Sequence, residues 1–170
     1  SMSLTRRNFL LPAVSILLFA ACNNSSNRQA KQQHGKDTAR AAVAVDTITP
    51  QIATYSKRIA ANPSDASAYW NRGKLEVLQK KSGPALADFT KAIQLDSTKA
   101  DYYFSLANVD FLSGHTRNAK DNFEKGLKIN PHNTDALLKL GEIYFYVRKY
   151  KESMVMIDKA REVNQHLAKA

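Results

Sequence analysis

Residues 66–99 read ASAYWNRGKLEVLQKKSGPALADFTKAIQLDSTK, and the same succession of small and large side chains returns at 100–133 and at 134–167. Gly73, Ala107 and Gly141 stand 34 residues apart, as do Phe89, Phe123 and Ile157, and as do Ala92, Gly126 and Ala160. Ala85 and Ala119 precede the last set by seven residues. Small residues at fixed places let two helices approach closely, and large ones fill the space between successive helix pairs. The pattern predicts an all-α chain in which one helical hairpin is made three times. Its helices are expected near 67–80, 84–95, 100–113, 116–129, 135–147 and 150–164, with Gly83, Gly114 and Asn130-Pro131 at connections. No segment alternates like a strand.

Working outward toward the N-terminus, Ile48, Ile52, Tyr55 and Ile59 are spaced four, three and four, the stripe of an amphipathic helix over 47–61 that Asn62-Pro63 ends. In the 34-residue register this segment matches the second helix of a hairpin. The stretch 47–65 therefore reads as half a repeat, a cap over 69–78, followed by full repeats at 66–99, 100–133 and 134–170 with the tail.

Tyr69-Trp70-Asn71-Arg72-Gly73 with Ala85, Phe89, Ala92 and Leu95, then Tyr103, Leu106, Ala107, Gly114, Ala119, Phe123 and Pro131, then Leu137, Leu140, Gly141, Tyr144, Tyr150 and Ala160, resemble tetratricopeptide-repeat proteins over about 100 residues. The resemblance implies a right-handed superhelix, an α-solenoid of about three hairpins preceded by one half-repeat helix. It also implies a groove that holds a peptide or helix of another protein. The positions that match the family's groove are Trp70, Lys74, Val77 and Leu78, then Phe104, Asn108, Phe111 and Leu112, then Leu138, Glu142, Phe145 and Tyr146. They form an apolar ladder with one polar rung, and an aromatic stripe of this kind serves either binding or packing within the array. The family's carboxylate clamp for acidic C-termini falls on Trp70, Lys74, Ser105, Asp135 and Lys139, where Trp70 and Asp135 break it.

Arg72 and Glu76 replace the apolar and aromatic residues the family prefers, and Asp110 stands one period beyond Glu76. Their spacing predicts an Arg72–carboxylate network between hairpins, because buried charges are normally paired; contact with a ligand is the other reading.

Arg6 and Arg7 precede the apolar run from Phe9 to Ala21, which is too short for an ordinary membrane span and reads as an export signal over 1–21, with Ser1 a tag scar before Met2. The chain's single cysteine, Cys22, follows Ala20-Ala21. This arrangement resembles a bacterial lipoprotein signal, which implies a lipid on Cys22 as the membrane anchor; an ordinary signal with a leftover thiol is the alternative. Thr5-Arg6-Arg7-Asn8-Phe9-Leu10 also resembles the twin-arginine motif, so the export route stays open between that and general secretion. Asn23 in place of an aspartate points to the outer membrane, facing the periplasm. Residues 22–46 are polar and hold no aromatic side chain, so they read as a flexible tether with a reach of about 25–30 Å.

At the other end Met154, Val155, Met156, Ile157 and Val163 make the last helix unusually apolar, and repeat arrays normally carry a polar cap. Met154, Met156 and Ile157 are the expected edge, for self-association, for a heterologous partner, or for a tail folding back.

Catalysis finds no motif. His34, His115, His132 and His166 show no metal-ligand spacing, and there is no glycine-rich phosphate loop or nucleophile elbow, so neither an enzyme nor a cofactor or metal is expected. The 25 Lys and Arg fall to 23 without Arg6 and Arg7, against 15 Asp and Glu, a charge of +8. Cations interspersed with acids on an exported chain suit anionic membrane or acidic protein surfaces rather than nucleic acid. The function expected is a membrane-tethered adaptor or scaffold that binds a protein partner. The alternative is a structural repeat protein that oligomerises through its last helix.

Overall fold

The computed structural model describes residues 47–169; the expected export signal over 1–21, the expected lipid site Cys22 and the expected tether over 22–46 lie outside them. The described residues form α1 (47–61), α2 (Ala66–Leu78), α3 (Ser82–Leu95), α4 (Ala100–Leu112), α5 (Thr116–Ile129), α6 (Thr134–Tyr146) and α7 (Tyr150–Leu167), with no strand among them. None of these helices is long and apolar enough to cross a membrane.

Small residues let the two helices of each hairpin approach closely. A Cβ on Gly73 would come within 2.7 Å of Phe89 Cε1, so only glycine lets α2 and α3 come this close. In the second hairpin Ala107 on α4 and Ala119 on α5 are both fully buried. In the third, the place of Ala85 and Ala119 is taken by Ser153, which is buried and donates its hydroxyl to the Gly141 carbonyl at 2.8 Å. A polar atom thus sits at a close-packed position without being left unpaired.

The turns inside the hairpins repeat too. Lys80 (φ 59°), Gly114 (φ 80°) and Arg148 (φ 61°) stand 34 residues apart and all adopt the left-handed conformation that reverses the chain. Between hairpins the entry to α2 is capped by Asp65, whose carboxylate accepts from the Ala68 amide at 2.9 Å, and the entry to α6 by Asn133, which accepts from Ala136 at 2.8 Å. The Ala68 amide, and after it Arg58 at 2.7 Å, holds the Asp65 carboxyl below its ordinary range.

Hairpins stack by packing α3 on α4 and α5 on α6. Phe89 and Phe123, each 1% exposed, fill those seams, Phe89 with Val109 and Phe123 with Phe104, Leu140 and Ile143. Ile157 occupies the same register on α7 but is 41% exposed, because no described hairpin follows to cover it. On α1, Ser56 accepts a hydrogen bond from Arg72 at 3.1 Å and Thr49 accepts one from Gln79 at 3.2 Å, which tie α1 to α2.

Three expectations are corrected by the packing. Arg72 pairs with Asp88 rather than with Glu76 or Asp110; Asp110 instead accepts from Asn122 at 3.1 Å and faces His115 at 3.3 Å. Spacing of one period along first helices does not reveal that the facing helix of the same hairpin, which carries Asp88, is nearer. Gly83 is not in a connection but is the second residue of α3, which begins before Pro84 because proline is welcome in a first turn. The last helix runs beyond Asn164 to Leu167.

Candidate functional site

The first helices α2, α4 and α6 frame a cavity of about 580 Å³ lined by Trp70, Asp101, Phe104, Ser105, Asn108, Phe123, Asn133, Asp135, Ala136, Leu138, Lys139 and Glu142. Side chains at positions i, i+4 and i+7 of α4, namely Asp101, Ser105 and Asn108, share one helical face, and Asp135, Leu138 and Glu142 do the same on α6. The groove is therefore a product of the period.

At one end Trp70 is half-buried and held on three sides. Its indole N–H donates to Ser105 Oγ at 2.8 Å, its ring lies 5.5 Å from that of Tyr102, and Lys74 Nζ sits 3.6 Å above its face. Ser105 in turn donates to the Asp101 carbonyl. A large aromatic plane is thus fixed at the edge of the groove before any ligand arrives. At the other end Lys139 bridges Glu142 at 3.1 Å and lies 5.8 Å from the Phe111 ring centroid.

The groove positions named from the sequence divide accordingly. Trp70, Phe104, Asn108, Leu138 and Glu142 line the cavity, and Lys74 covers Trp70. Phe104 does so from the core: it is 7% exposed, stacks on Phe123 at 6.4 Å and closes against Gly126, so only its edge forms the floor. Val77 belongs to the packing around Ala85, Phe89 and Val109, and Phe111 lies against the second hydrophobic cluster and the Tyr146 ring. Phe145 is exposed and meets Tyr150 edge-on at 5.5 Å, away from the cavity. Leu78, Leu112 and Tyr146 are exposed outside it.

Asp101 and Asn133 line the cavity without having been expected as groove residues, and Ser105, Asp135 and Lys139, named only as the places of the broken clamp, line it too. A signal for Asp101 is present in the sequence: it stands one period before Asp135, each in the first turn of its helix, where an acid suits the helix dipole. With Glu142 they give the groove three carboxylates against Lys139, which Glu142 already engages. The expected terminal edge also divides. Met154 and Ile157 are exposed, whereas Met156 turns inward against the cluster that holds Leu140 and Tyr144. No group of His, Cys, Asp and Glu that could hold a metal occurs among the described residues.

With this geometry in place, comparison with known proteins places the repeat. Residues 100–133 match the family model for the tetratricopeptide repeat. No curated protein matches the chain. Among solved structures, MamA is 23% identical, with 66% of this chain and 66% of that chain covered and a TM-score of 0.63. MamA from Desulfovibrio magneticus RS-1 is 14% identical over 71% and 68%, with a TM-score of 0.65. YrrB, a TPR protein with an unusual peptide-binding site, is 32% identical over 65% of this chain and 57% of its own, with a TM-score of 0.61. The chain therefore spans just over half of YrrB and about two thirds of the first MamA structure. The fold is an α-solenoid of tetratricopeptide hairpins.

Proposed function

We propose that this chain is a non-catalytic adaptor that holds a peptide or amphipathic helix of a partner protein across α2, α4 and α6. The observation that carries the reading is the pre-set plane of Trp70, fixed by Ser105 and Lys74 at the mouth of a groove that also presents Leu138, Asn108 and three carboxylates. Rigid aromatic surface contributes most to binding when it need not be ordered on association, and unpaired acids select a segment that mixes apolar and basic residues. Likeness to YrrB, which has a peptide-binding site, supports the same class of partner. In this reading a lipid on Cys22 tethers the repeats to the envelope, on the periplasmic face of the outer membrane.

The test is crosslinking and affinity capture of the anchored protein from its own cells, beside a Trp70→Ala/Leu138→Ala variant. Leu138 is exposed and Trp70 half-buried against the cluster of Ala85, Phe89 and Val109, so capture is read only from a variant whose helical circular dichroism matches the wild type, with Leu138→Ala alone as the milder variant. Loss of one specific partner supports the adaptor; undiminished capture places the site elsewhere. Cys22→Ser separately tests the anchor, since unchanged membrane fractionation would remove the lipid from the account.

A second reading rests on Phe145, Tyr150, Met154 and Ile157, all exposed on the last hairpin, which favour self-assembly through that face. Sedimentation of the wild type beside Met154→Asp/Ile157→Asp decides it: an oligomer that survives the substitutions, or none in the wild type, ends this alternative.

A further inference from the structure

A second and larger cavity, about 880 Å³, opens between α5 and α7 with α6 as its floor. It takes Leu137, Leu140 and Tyr144 from α6, which lie roughly opposite the groove residues Asp135, Leu138 and Glu142 at 100° per residue. It is therefore independent of the site described above.

The internal repeat supplies its own control. One hairpin earlier, the crevice between α3 and α5 holds about 430 Å³ and is lined in part by Thr90, Leu106, Asp110, Asn122 and Lys125. Those positions correspond, 34 residues on, to Glu124, Leu140, Tyr144, Met156 and Lys159 of the larger cavity. In the earlier crevice Asp110 and Asn122 are hydrogen-bonded to each other at 3.1 Å and occupy the middle. In the later one that polar pair is replaced by Tyr144 and Met156. The exchange removes polarity from that space. The result is an apolar floor of Leu127, Leu137, Leu140, Tyr144, Met156 and Val163.

The rim is of the opposite character. Lys128 and Lys159 stand over it with His132 and His166, and neither lysine is in an ion pair. Of the two rim acids, Glu124 is engaged by the Tyr144 hydroxyl at 2.6 Å and by Lys120 at 3.3 Å, which leaves Glu162. Burial first, then the same hydrogen bond, pushes the Tyr144 phenol up to about 12, so its hydroxyl stays protonated and held on Glu124. A volume in the range of small-molecule sites, an apolar floor and unpaired cations at the mouth together specify a ligand with an apolar body and an anionic end.

We propose that the α5–α6–α7 cavity binds a free single-chain amphiphile with an anionic head, its tail along Leu127, Met156 and Val163 over the buried Leu137 and Leu140, and its head between Lys128 and Lys159. The experiment is isothermal titration of the full chain with dodecanoate below its micelle threshold. Dodecyltrimethylammonium serves as the charge-inverted probe and phosphatidylglycerol vesicles as the membrane probe. Saturation by one dodecanoate per chain is expected, weakened about tenfold or more by Lys128→Glu/Lys159→Glu, two exposed positions that leave the fold intact. Met156→Asn, which restores the residue found one repeat earlier, should weaken it further by making the floor polar. Absence of saturable heat, equal affinity after charge reversal, or binding to vesicles alone would overturn the proposal.

Discussion

Arg72 and Asp88 clasp the first hairpin through two parallel hydrogen bonds, Nε to Oδ2 at 2.7 Å and Nη2 to Oδ1 at 2.8 Å, with the Asp88 side chain only 8% exposed. A paired carboxylate tolerates this burial, but an orphaned one does not. Arg72→Met is therefore expected to lower the unfolding free energy by about 2–4 kcal/mol, because it leaves Asp88 charged and buried beside Glu76. Arg72→Met/Asp88→Leu should recover most of the loss. Urea unfolding of the three proteins checks this, and a double variant no better than the single one would show that the pair is not what Asp88 requires.

Glu76 stands near the same pair but gains little from it. One of its carboxylate oxygens is buried with no hydrogen-bond partner, and burial first, then repulsion from Asp88, raises its pKa against the attraction of Arg72 and Lys81. A carboxyl whose folded pKa lies above its unfolded value destabilises the fold when ionised, so its cost is present at neutral pH and disappears as pH falls through the raised pKa toward 4.5. Asp65 and Asp121 act in the opposite sense, since their lowered values support the fold above about 3.8 and lose that support below it. Glu76→Gln should raise Tm at pH 7 with a gain under about 1 kcal/mol, given the solvent that still reaches the site, and no gain near pH 4. Thermal melts across pH 4–8 read the difference, and a gain that stays constant with pH would assign it to packing instead.

Lys80 and Arg148 hold the left-handed turn conformation that Gly114 holds in the middle hairpin. A side chain in that conformation costs about 1–2 kcal/mol relative to glycine, and part of that is returned because glycine makes the unfolded chain freer. Lys80→Gly and Arg148→Gly are each expected to stabilise by about 0.5–1 kcal/mol, and being more than two helices apart they should add. Chemical denaturation midpoints of the single and double variants give the answer directly.

What the sequence made legible follows from what the period controls. Gly73 against Phe89 and Phe123 in the seam behind it are places where one residue size is required by the packing, so the 34-residue spacing read them correctly as hairpin contacts. The groove was legible only as far as the same logic reached: Trp70, Asn108, Leu138 and Glu142 sit on the cavity, while Val77 and Phe111 packed inward because helical spacing alone does not separate a groove face from an adjoining core face. Arg72 found Asp88 rather than Asp110 because ion-pair choice depends on side-chain reach across a hairpin, which no linear spacing encodes. The α5–α7 cavity was invisible for a related reason. Tyr144 matches the ordinary repeat pattern and Met156 reads as part of an exposed terminal edge, and only comparison of two stacked crevices shows that they replace a polar pair.

Gly126 and Gly83 separate close packing from backbone freedom, and substituting both tests which of the two the repeat requires. Gly126 lies in α5 directly against the Phe104 ring, so a methyl group there must displace a buried aromatic that also floors the groove. Gly83 lies in the second position of α3 with nothing within 4 Å of where its Cβ would be. Alanine improves helix propensity at both sites, by up to about 1 kcal/mol, and that gain stands alone only at Gly83. Gly83→Ala should therefore stabilise by about 0.5 kcal/mol or more, while Gly126→Ala should destabilise by about 1–3 kcal/mol as overpacking outweighs propensity. Gly126→Ala/Phe104→Leu should regain part of that loss by making room for the methyl group. Equilibrium unfolding of all three decides the point: if Gly126→Ala were neutral, Phe104 would have space to yield and the α4–α5 seam would be looser than its geometry implies.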